Sequence, residues 1–138
     1  MEKYETFHKL INDAVALNLS NRPDPRRLFM DSIHYAVDFC SVKIDLGRQT
    51  GKTSYIKKYA SADDLWVVKN VRYKKDFARD TLATVKTFEE CEVRGGRRYN
   101  NIFVDEFSSM ASSSDSRYGL YAALVHENVR NQVFLFLG

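Results

Sequence analysis

The sequence predicts an α/β protein, a three-layer αβα arrangement in which a short, mostly parallel sheet follows two N-terminal helices. Apolar stretches at 65–68, 102–104 and 133–137 are continuous, as is typical of strands buried on both faces. Segments with helical spacing of apolar residues lie between them, and this alternation favours a sheet covered by helices on both sides. The 138 residues, 44% of them hydrophobic, suit one domain with a sizeable core.

Two helices are predicted before the sheet begins. Apolar residues at helical spacing predict a first helix over about 4–18. The stretch NRPDPRR interrupts it, because each proline disfavours helical backbone in the residue before it. A second apolar stripe predicts a helix over about 25–40. Residues 1–40 are therefore expected to pack as a helical segment on a core of residues 41–138, within one domain.

Strands and helices alternate through the remaining sequence. The stretch VKIDLG predicts a short strand, and a third helix is predicted over about 52–59. A strand at LWVVKN and a helix over about 74–82 come next. The stretch LATVKTFEECEVRGGRRYN is ambiguous and favours a short strand before a Gly-Gly turn. NIFVDEF then predicts a buried strand, SRYGLYAALVHENV a helix, and QVFLFLG a last buried strand.

Composition excludes several classes of protein. The net charge of +3 is mildly basic and only weakly suggests a polyanionic partner. Cys40 and Cys91 lie far apart, so they form no metal-type pair, and a reduced, cytoplasmic compartment is the simpler interpretation. The N-terminus has no apolar signal-peptide core, and no apolar run reaches the roughly 18 residues that a membrane span needs. His8 and His34 lie in the predicted helices and suggest no metal site.

Residues 47–54, GRQTGKTS, have the composition of a phosphate-binding loop between a strand and a helix. Gly47 and Gly51 permit close approach of the backbone and unusual dihedrals. A helix that begins here directs its partial positive charge at the phosphates, where Lys52 would reach the β- and γ-phosphates and Thr53 would ligate Mg²⁺. The usual motif has four residues between its glycines and this one has three, so an ordinary strand–turn–helix is the alternative interpretation.

Two acids follow a predicted buried strand. Asp105 and Glu106 come directly after Ile102, Phe103 and Val104, and adjacent carboxylates at such a position are costly unless a cation or polar group meets them. In P-loop enzymes the Asp holds Mg²⁺ and the Glu polarises the attacking water. The alternative is a strand end with two solvated acids.

The two motifs are expected at the same edge of the sheet. Both follow the carboxyl ends of predicted strands, where parallel sheets bind their ligands. The spacing from Lys52 to Asp105 leaves room for a helix–strand–helix passage and fits a sheet with one extra strand between the motifs. The last strand, QVFLFLG, is expected next to both motif strands. Together the motifs predict a site for ATP and Mg²⁺.

GRQTGKT followed by IFVDEF resembles the ATPase domain of large terminase subunits, the DNA-packaging motors of tailed bacteriophages. More broadly, the chain is similar to P-loop ATPases with a catalytic glutamate beside the Walker B aspartate. The resemblance covers roughly residues 41–138, and the shortened phosphate loop, or Walker A motif, is a known variant in the terminase family. It implies a P-loop NTPase fold and Mg²⁺-dependent ATP hydrolysis.

The resemblance also assigns roles to individual residues. It implies that Arg48 reaches the γ-phosphate, that Lys52 binds phosphate and that Glu106 is the catalytic glutamate. Thr53 and Asp105 would be the Mg²⁺ ligands. The whole implied nucleotide-binding stretch is Gly47, Arg48, Gln49, Thr50, Gly51, Lys52, Thr53 and Ser54.

Basic residues interleaved with aromatic residues suggest contact with single-stranded nucleic acid, which needs a phosphate track and stacking platforms. Tyr73 and Phe77 supply the aromatic rings. The candidate contacts are Lys69, Arg72, Lys74 and Lys75 in this segment, with Arg97 and Arg98 in the later glycine turn. A solvated helix face with two core aromatics, and an exposed loop, are the alternatives.

Three functions remain open from the sequence. The first is an Mg²⁺-dependent ATPase associated with DNA or RNA, acting as a homo-oligomer or within a larger phage complex, in the host cytoplasm if phage-encoded. The second is a nucleotide-binding regulatory or structural module without turnover, which would not need Glu106 to polarise water. The third is a small nucleotide kinase, although little of the sequence is left to build its lid and second substrate pocket.

Overall fold

The computed structural model describes residues 5–45, 51–68, 71–91, 98–105, 114–125 and 129–138, and at 25–26, 105 and 114–118 it describes the backbone alone. These residues form a five-stranded sheet in which every strand pair is parallel, with helices packed on both faces. The predicted α/β class is confirmed, and the sheet is wholly rather than mostly parallel.

The strands lie in the order β1-β5-β4-β2-β3. Their bounds are Ser41–Ile44 for β1, Leu65–Val68 for β2, Thr84–Thr87 for β3, Asn101–Asp105 for β4 and Val133–Leu137 for β5. Strand β5 therefore lies between β1 and β4, as the sequence predicted for QVFLFLG. Its burial explains its composition, because all five of its side chains are shielded from water.

Helices occupy most of the segments between the strands. Their bounds are Glu5–Ser20 for α1, Pro25–Leu28 for α2, Ser32–Phe39 for α3, Lys52–Tyr59 for α4, Val71–Phe77 for α5, Phe88–Cys91 for α6 and Ser114–Leu124 for α7. The ambiguous stretch after Leu82 resolves into β3 and α6. Within the described parts of the chain, no helix has the length and apolarity needed to cross a bilayer.

The predicted helix over 25–40 is wrong, because the chain forms two helices there. Phe29 has a positive φ of 51°, which no α-helix accommodates, and it separates α2 from α3. Asp31 then caps α3, and its carboxylate accepts a hydrogen bond from the His34 amide at 2.8 Å. Residues 5–40 therefore form three helices rather than the predicted two.

Alternate side chains of β5 enter two separate cores. Phe134 and Phe136 pack with residues of α3 and α7 on one face, and Tyr121 of α7 contacts both rings. Leu135 packs on the other face with residues of α1 and α4, including Ile11 and Ile56. This alternation makes the sheet the middle of three layers.

The N-terminal helices are tied to the sheet through buried polar groups. Arg22, which burial leaves with a lowered pKa, donates to the Asn18 side chain at 2.8 Å and to the carbonyl of Arg130. The Asn18 amide in turn donates to the Phe39 carbonyl at 3.0 Å. These contacts join the end of α1 both to α3 and to the turn before β5.

A buried carboxylate fixes the amino ends of the central strands. Asp64 accepts hydrogen bonds from the Ser61 amide at 2.8 Å and from the backbone and side-chain amides of Asn101, at 3.1 and 3.0 Å. These bonds hold the start of β4 beside the start of β2, at the end of the sheet opposite the carboxyl ends of the strands.

Candidate functional site

The carboxyl ends of the strands form one level edge. Ile44 of β1 pairs with Leu137 of β5, and Leu137 also pairs with Asp105 of β4. Since neighbouring strands lie about 4.8 Å apart, the Cα atoms of Ile44 and Asp105 are roughly 10 Å apart. The segments that carry the two motifs thus leave the sheet at the same edge, with β5 between their strands, as expected for QVFLFLG. The predicted single helix–strand–helix passage from Lys52 to Asp105 is wrong, because both β2 and β3 lie between these residues in the chain.

Helix α4 begins with a left-handed glycine at this edge. Gly51 has φ 84° and ψ 23°, a conformation that glycine adopts without steric cost. Its carbonyl accepts the first helical hydrogen bond from the Tyr55 amide at 2.8 Å. The sequence correctly predicted the bounds of α4, and the structure gives a physical reason for the glycine before Lys52.

Lys52 is unusually enclosed for a lysine. As the first residue of α4, it keeps only 8% of its surface exposed, whereas most lysines are largely exposed. Thr53 and Ser54 follow it in the first turn and are half-buried. With Gly51, four of the predicted binding residues therefore lie together at the helix N-terminus.

Apart from Asp105, the other residues predicted for the ATP and Mg²⁺ site lie outside the described parts of the chain. Asp105 ends β4, and its backbone alone is described, level with Leu137. The predicted site residues outside the described ranges are Gly47, Arg48, Gln49, Thr50 and Glu106.

The structure adds a histidine that the motifs did not predict. His8 of α1 is buried, with 3% of its surface exposed, and its Nε2 lies 3.3 Å from the Gly51 carbonyl oxygen. Because a carbonyl only accepts, the proton of this contact belongs to His8 Nε2. The His8 ring also packs edge-on against Tyr55 and Tyr59, with centroid distances of 5.6 and 5.8 Å.

A second hydrogen bond joins the same two helices. The Tyr55 hydroxyl donates to the Asn12 side-chain oxygen at 2.7 Å, and burial raises the pKa of Tyr55 to about 12. The positions of His8 and Asn12 in the sequence could have revealed both contacts. His8 and Asn12 share the core-facing stripe of α1 with Ile11 and Val15, and a polar residue in such a stripe needs a partner.

The predicted nucleic-acid contacts on helix α5 are of two kinds, exposed and ion-paired. Arg72 and Lys75 are exposed, whereas Lys74 lies 3.0 and 2.9 Å from the two carboxylate oxygens of Glu90. The bond from Lys74 is the main reason why the pKa of Glu90 is lowered. Arg98 is exposed, while Lys69 and Arg97 lie outside the described residues.

The two aromatics of this segment also differ. Phe77 stacks on Trp66 with a centroid distance of 4.7 Å and an interplanar angle of 3°, so it belongs to the core. Tyr73 is 40% exposed and stacks on Phe77 at 5.6 Å, which leaves part of its ring open to solvent. The alternative interpretation, in which both aromatics belong to the core, is therefore correct for Phe77 alone.

No metal centre is formed by the described side chains alone. Among them, no group of three or more His, Cys, Asp or Glu residues lies close enough to hold a metal ion. A groove of about 630 Å³ runs beside α1 and the last turn of α4. It is lined by Glu5, His8, Lys9, Asn12, Asp13, Lys58 and Tyr59.

Comparison of the chain with protein-family models, with curated proteins and with solved structures finds no match. Its function is therefore inferred from its own residues.

Proposed function

We propose that the chain is an Mg²⁺-dependent ATPase, a minimal terminase-like P-loop NTPase that acts on or beside nucleic acid. One observation carries the proposal. A left-handed glycine and a buried lysine begin a helix at the edge where the strand before GRQTGKT and the strand before the acid pair end, one strand apart. A motif match alone would not require that convergence.

The first turn of α4 offers what phosphate oxygens need. The first amides of a helix have no partner within it, and they carry partial positive charge. Lys52 adds a full charge at the same place, and Gly51 has no side chain to obstruct an approaching phosphate. These groups would hold the β- and γ-phosphates, with Arg48 placed by the resemblance near the γ-phosphate.

The residues at this edge also fit Mg²⁺, which prefers oxygen ligands and needs few from the protein. The Thr53 hydroxyl belongs to the first turn of α4, and Asp105 ends the strand next but one to β1. Thr53 and Asp105 would hold the ion. When bound, Mg²⁺ would neutralise charge on the β- and γ-phosphate oxygens.

Glu106 would make the site hydrolytic rather than merely binding. A carboxylate beside the metal-binding aspartate can accept a proton from water and orient it towards the γ-phosphate. Without that step the protein would be a nucleotide-binding module. The resemblance further suggests a homo-oligomer or a larger phage complex, with DNA or RNA as the polymer.

The direct test compares two lysines of the same helix. Lys52→Ala removes the charge at the phosphate turn, and because bonds to charged groups contribute about 1.5–3 kcal/mol, the affinity for Mg-ATP should fall about 10- to 100-fold. Lys58→Ala, at the exposed far end of α4, makes the same change away from the edge and should leave the affinity unchanged. Isothermal calorimetry measures both.

Equal affinities in wild type and Lys52→Ala would contradict the phosphate-site assignment. Hydrolysis is then followed in the wild type with and without DNA, at several protein concentrations. Binding of ATP without hydrolysis under all of these conditions would identify a nucleotide-binding module instead of an ATPase.

A further inference from the structure

The contact between His8 and Gly51 joins two distant parts of the sequence at the start of α4. His8 is almost wholly buried, and burying an imidazole is costly unless its polar atoms find partners. Its Nε2–H donates to the Gly51 carbonyl at 3.3 Å, and its ring packs against Tyr55 and Tyr59. The hydrogen bond and the two ring contacts thus both hold the His8 ring against α4.

The Gly51 carbonyl receives two donors. The Tyr55 amide approaches it from within α4 at 2.8 Å, and His8 approaches it from α1. A carbonyl oxygen has two lone pairs, so both bonds can exist together. The second donor restrains the carbonyl independently of the helix to which it belongs.

Restraining this carbonyl also restrains the neighbouring amide. The peptide unit between Gly51 and Lys52 is planar, so the direction of its C=O fixes the direction of its N–H. That N–H belongs to Lys52, the first residue of α4, where a helix supplies its amides with no acceptor of its own. Glycine leaves its neighbouring peptide units freer to rotate than any other residue does. A hydrogen bond from outside the helix therefore restricts this peptide unit more than it would one next to another residue.

We propose that His8 is a positioning residue of the phosphate-binding turn, which holds the Gly51–Lys52 peptide so that the Lys52 amide and side chain are oriented for an anionic phosphate. The role rests on the proposed function, because the benefit of that orientation is nucleotide binding. It makes α1, which lies outside both motifs, a part of the nucleotide site.

The experiment separates the hydrogen bond from the packing by two substitutions of His8. In His8→Gln the side-chain amide can place a donor near the former Nε2, whereas His8→Leu fills the space without any donor. Mg-ATP affinity is measured by calorimetry. His8→Leu should weaken it about three- to tenfold, the range of one neutral hydrogen bond, and His8→Gln should stay within about twofold of wild type.

A second readout needs no nucleotide. Hydrogen exchange at the Tyr55 amide reports the bond to the Gly51 carbonyl, and the Ala60 amide, which bonds to the Ile56 carbonyl, serves as a reference in the last turn of the same helix. In His8→Leu, exchange at Tyr55 should accelerate relative to Ala60, and His8→Gln should restore it. Equal acceleration at both amides would indicate general destabilisation and overturn the proposal.

Tyr55→Phe is the matched control. It removes the bond to Asn12, another hydrogen bond between α1 and α4, and leaves the Gly51 carbonyl untouched. Its Mg-ATP affinity should equal that of wild type. The positioning role is overturned if His8→Leu binds as wild type does, if His8→Gln is as weak as His8→Leu, or if Tyr55→Phe weakens binding equally.

The two proposals fail in different ways. If the wild-type protein binds no Mg-ATP, the proposed function is overturned. His8 then has no role in nucleotide binding either. The exchange data then decide whether His8 orders the turn. Acceleration confined to Tyr55 in His8→Leu and reversed in His8→Gln keeps that structural part, and any other pattern overturns it.

Discussion

Asp105 and Glu106 are neighbours with different expected roles, and their amide variants should therefore fail differently. Glu106→Gln keeps the shape of the side chain but loses the charge that polarises water, so it should bind Mg-ATP with wild-type affinity and not hydrolyse it. Asp105→Asn loses a metal ligand, so its affinity for ATP should fall only when Mg²⁺ is present. Calorimetry with and without Mg²⁺, and phosphate release, measure the two effects.

Hydrolysis at the wild-type rate by Glu106→Gln would end the catalytic assignment of this acid. If the ATP affinity of Asp105→Asn depends on Mg²⁺ in the same way as that of wild type, Asp105 is not a metal ligand. Either result would leave the phosphate turn at Lys52 unaffected.

Cys40 predicts a pH dependence of stability. Its thiol is buried and donates to the Val129 carbonyl at 3.4 Å, and burial raises its pKa from 9.0 to about 11. The unfolded chain therefore loses this proton at lower pH than the folded protein, so the free energy of unfolding should fall as pH rises from 9.0 to about 11.

Urea unfolding across this pH range checks the prediction, with Cys40→Ala as the control that lacks the titrating thiol. The fall should be smaller in Cys40→Ala than in wild type. Parallel curves for the two proteins would show that another group causes the dependence.

Single residues were predictable where a local pattern defines them. The Gly-Lys-Thr triplet after a strand was sufficient to predict the start of α4 and the position of Lys52. His8 was not predictable in the same way, because its partner Gly51 lies 43 positions away and only the packing of α1 on α4 brings them together. The pairing of Lys74 with Glu90 is another contact that the local pattern did not define.

At the scale of elements, α5 carries predicted nucleic-acid contacts that can be tested. Lys75 is exposed on this helix, so Lys75→Glu should weaken binding to a single-stranded oligonucleotide and reduce the slope of log affinity against log salt by about 0.7, the value of one phosphate contact. Lys58→Glu makes the same charge change on α4 and should leave the slope unchanged. Fluorescence anisotropy between about 50 and 200 mM salt measures both.

Equal effects of Lys75→Glu and Lys58→Glu would mean that net charge, rather than α5, attracts the polymer. Lys74 is a poorer probe than Lys75, because its ammonium already engages Glu90.

Element boundaries were predictable where the signals agreed. The strands β4 and β5 are continuous apolar runs, and both lie in the middle of the sheet. The edge strand β3 alternates half-buried and buried residues, so its apolar signal is weak and the sequence left it ambiguous. The break at Phe29 was missed because the apolar stripe continues across it, although Asp31 is a good helix N-cap.

At the scale of the whole molecule, Arg22 should stabilise the N-terminal helices and the sheet together. Arg22→Ala removes charged hydrogen bonds to Asn18 and to the Arg130 carbonyl, so the free energy of unfolding should fall by about 2 kcal/mol. Arg27→Ala, at an exposed position of α2, should change it by less than about 0.5 kcal/mol.

The same measurement tests whether residues 1–40 fold with the rest. Trp66, the single tryptophan, reports the core by fluorescence, and circular dichroism reports all helices. The two unfolding curves should coincide in wild type and in Arg22→Ala, because Ile11 of α1 belongs to the same core as Trp66. Separate transitions would show that the N-terminal helices are an independent unit.

The strand order was only partly predictable. The continuous apolar character of QVFLFLG indicates burial on both faces, and its place between the motif strands followed from the expected common edge of the two motifs. The position of β3 at the outer edge followed from no sequence pattern, because pairing partners are chosen by packing between distant segments.

The position of β5 has a consequence for how the chain is made. Ribosomes release a chain from its amino end at about 5–20 residues per second, so β1 appears early. In the described sheet its partner is β5, and Ser41 must wait for Phe134, about two thirds of the chain later. Until then β1 and β4 each expose backbone groups that β5 will satisfy, and unpaired strand edges of this kind favour aggregation. In the described sheet, β5 joins the two motif strands only after both of them have been made.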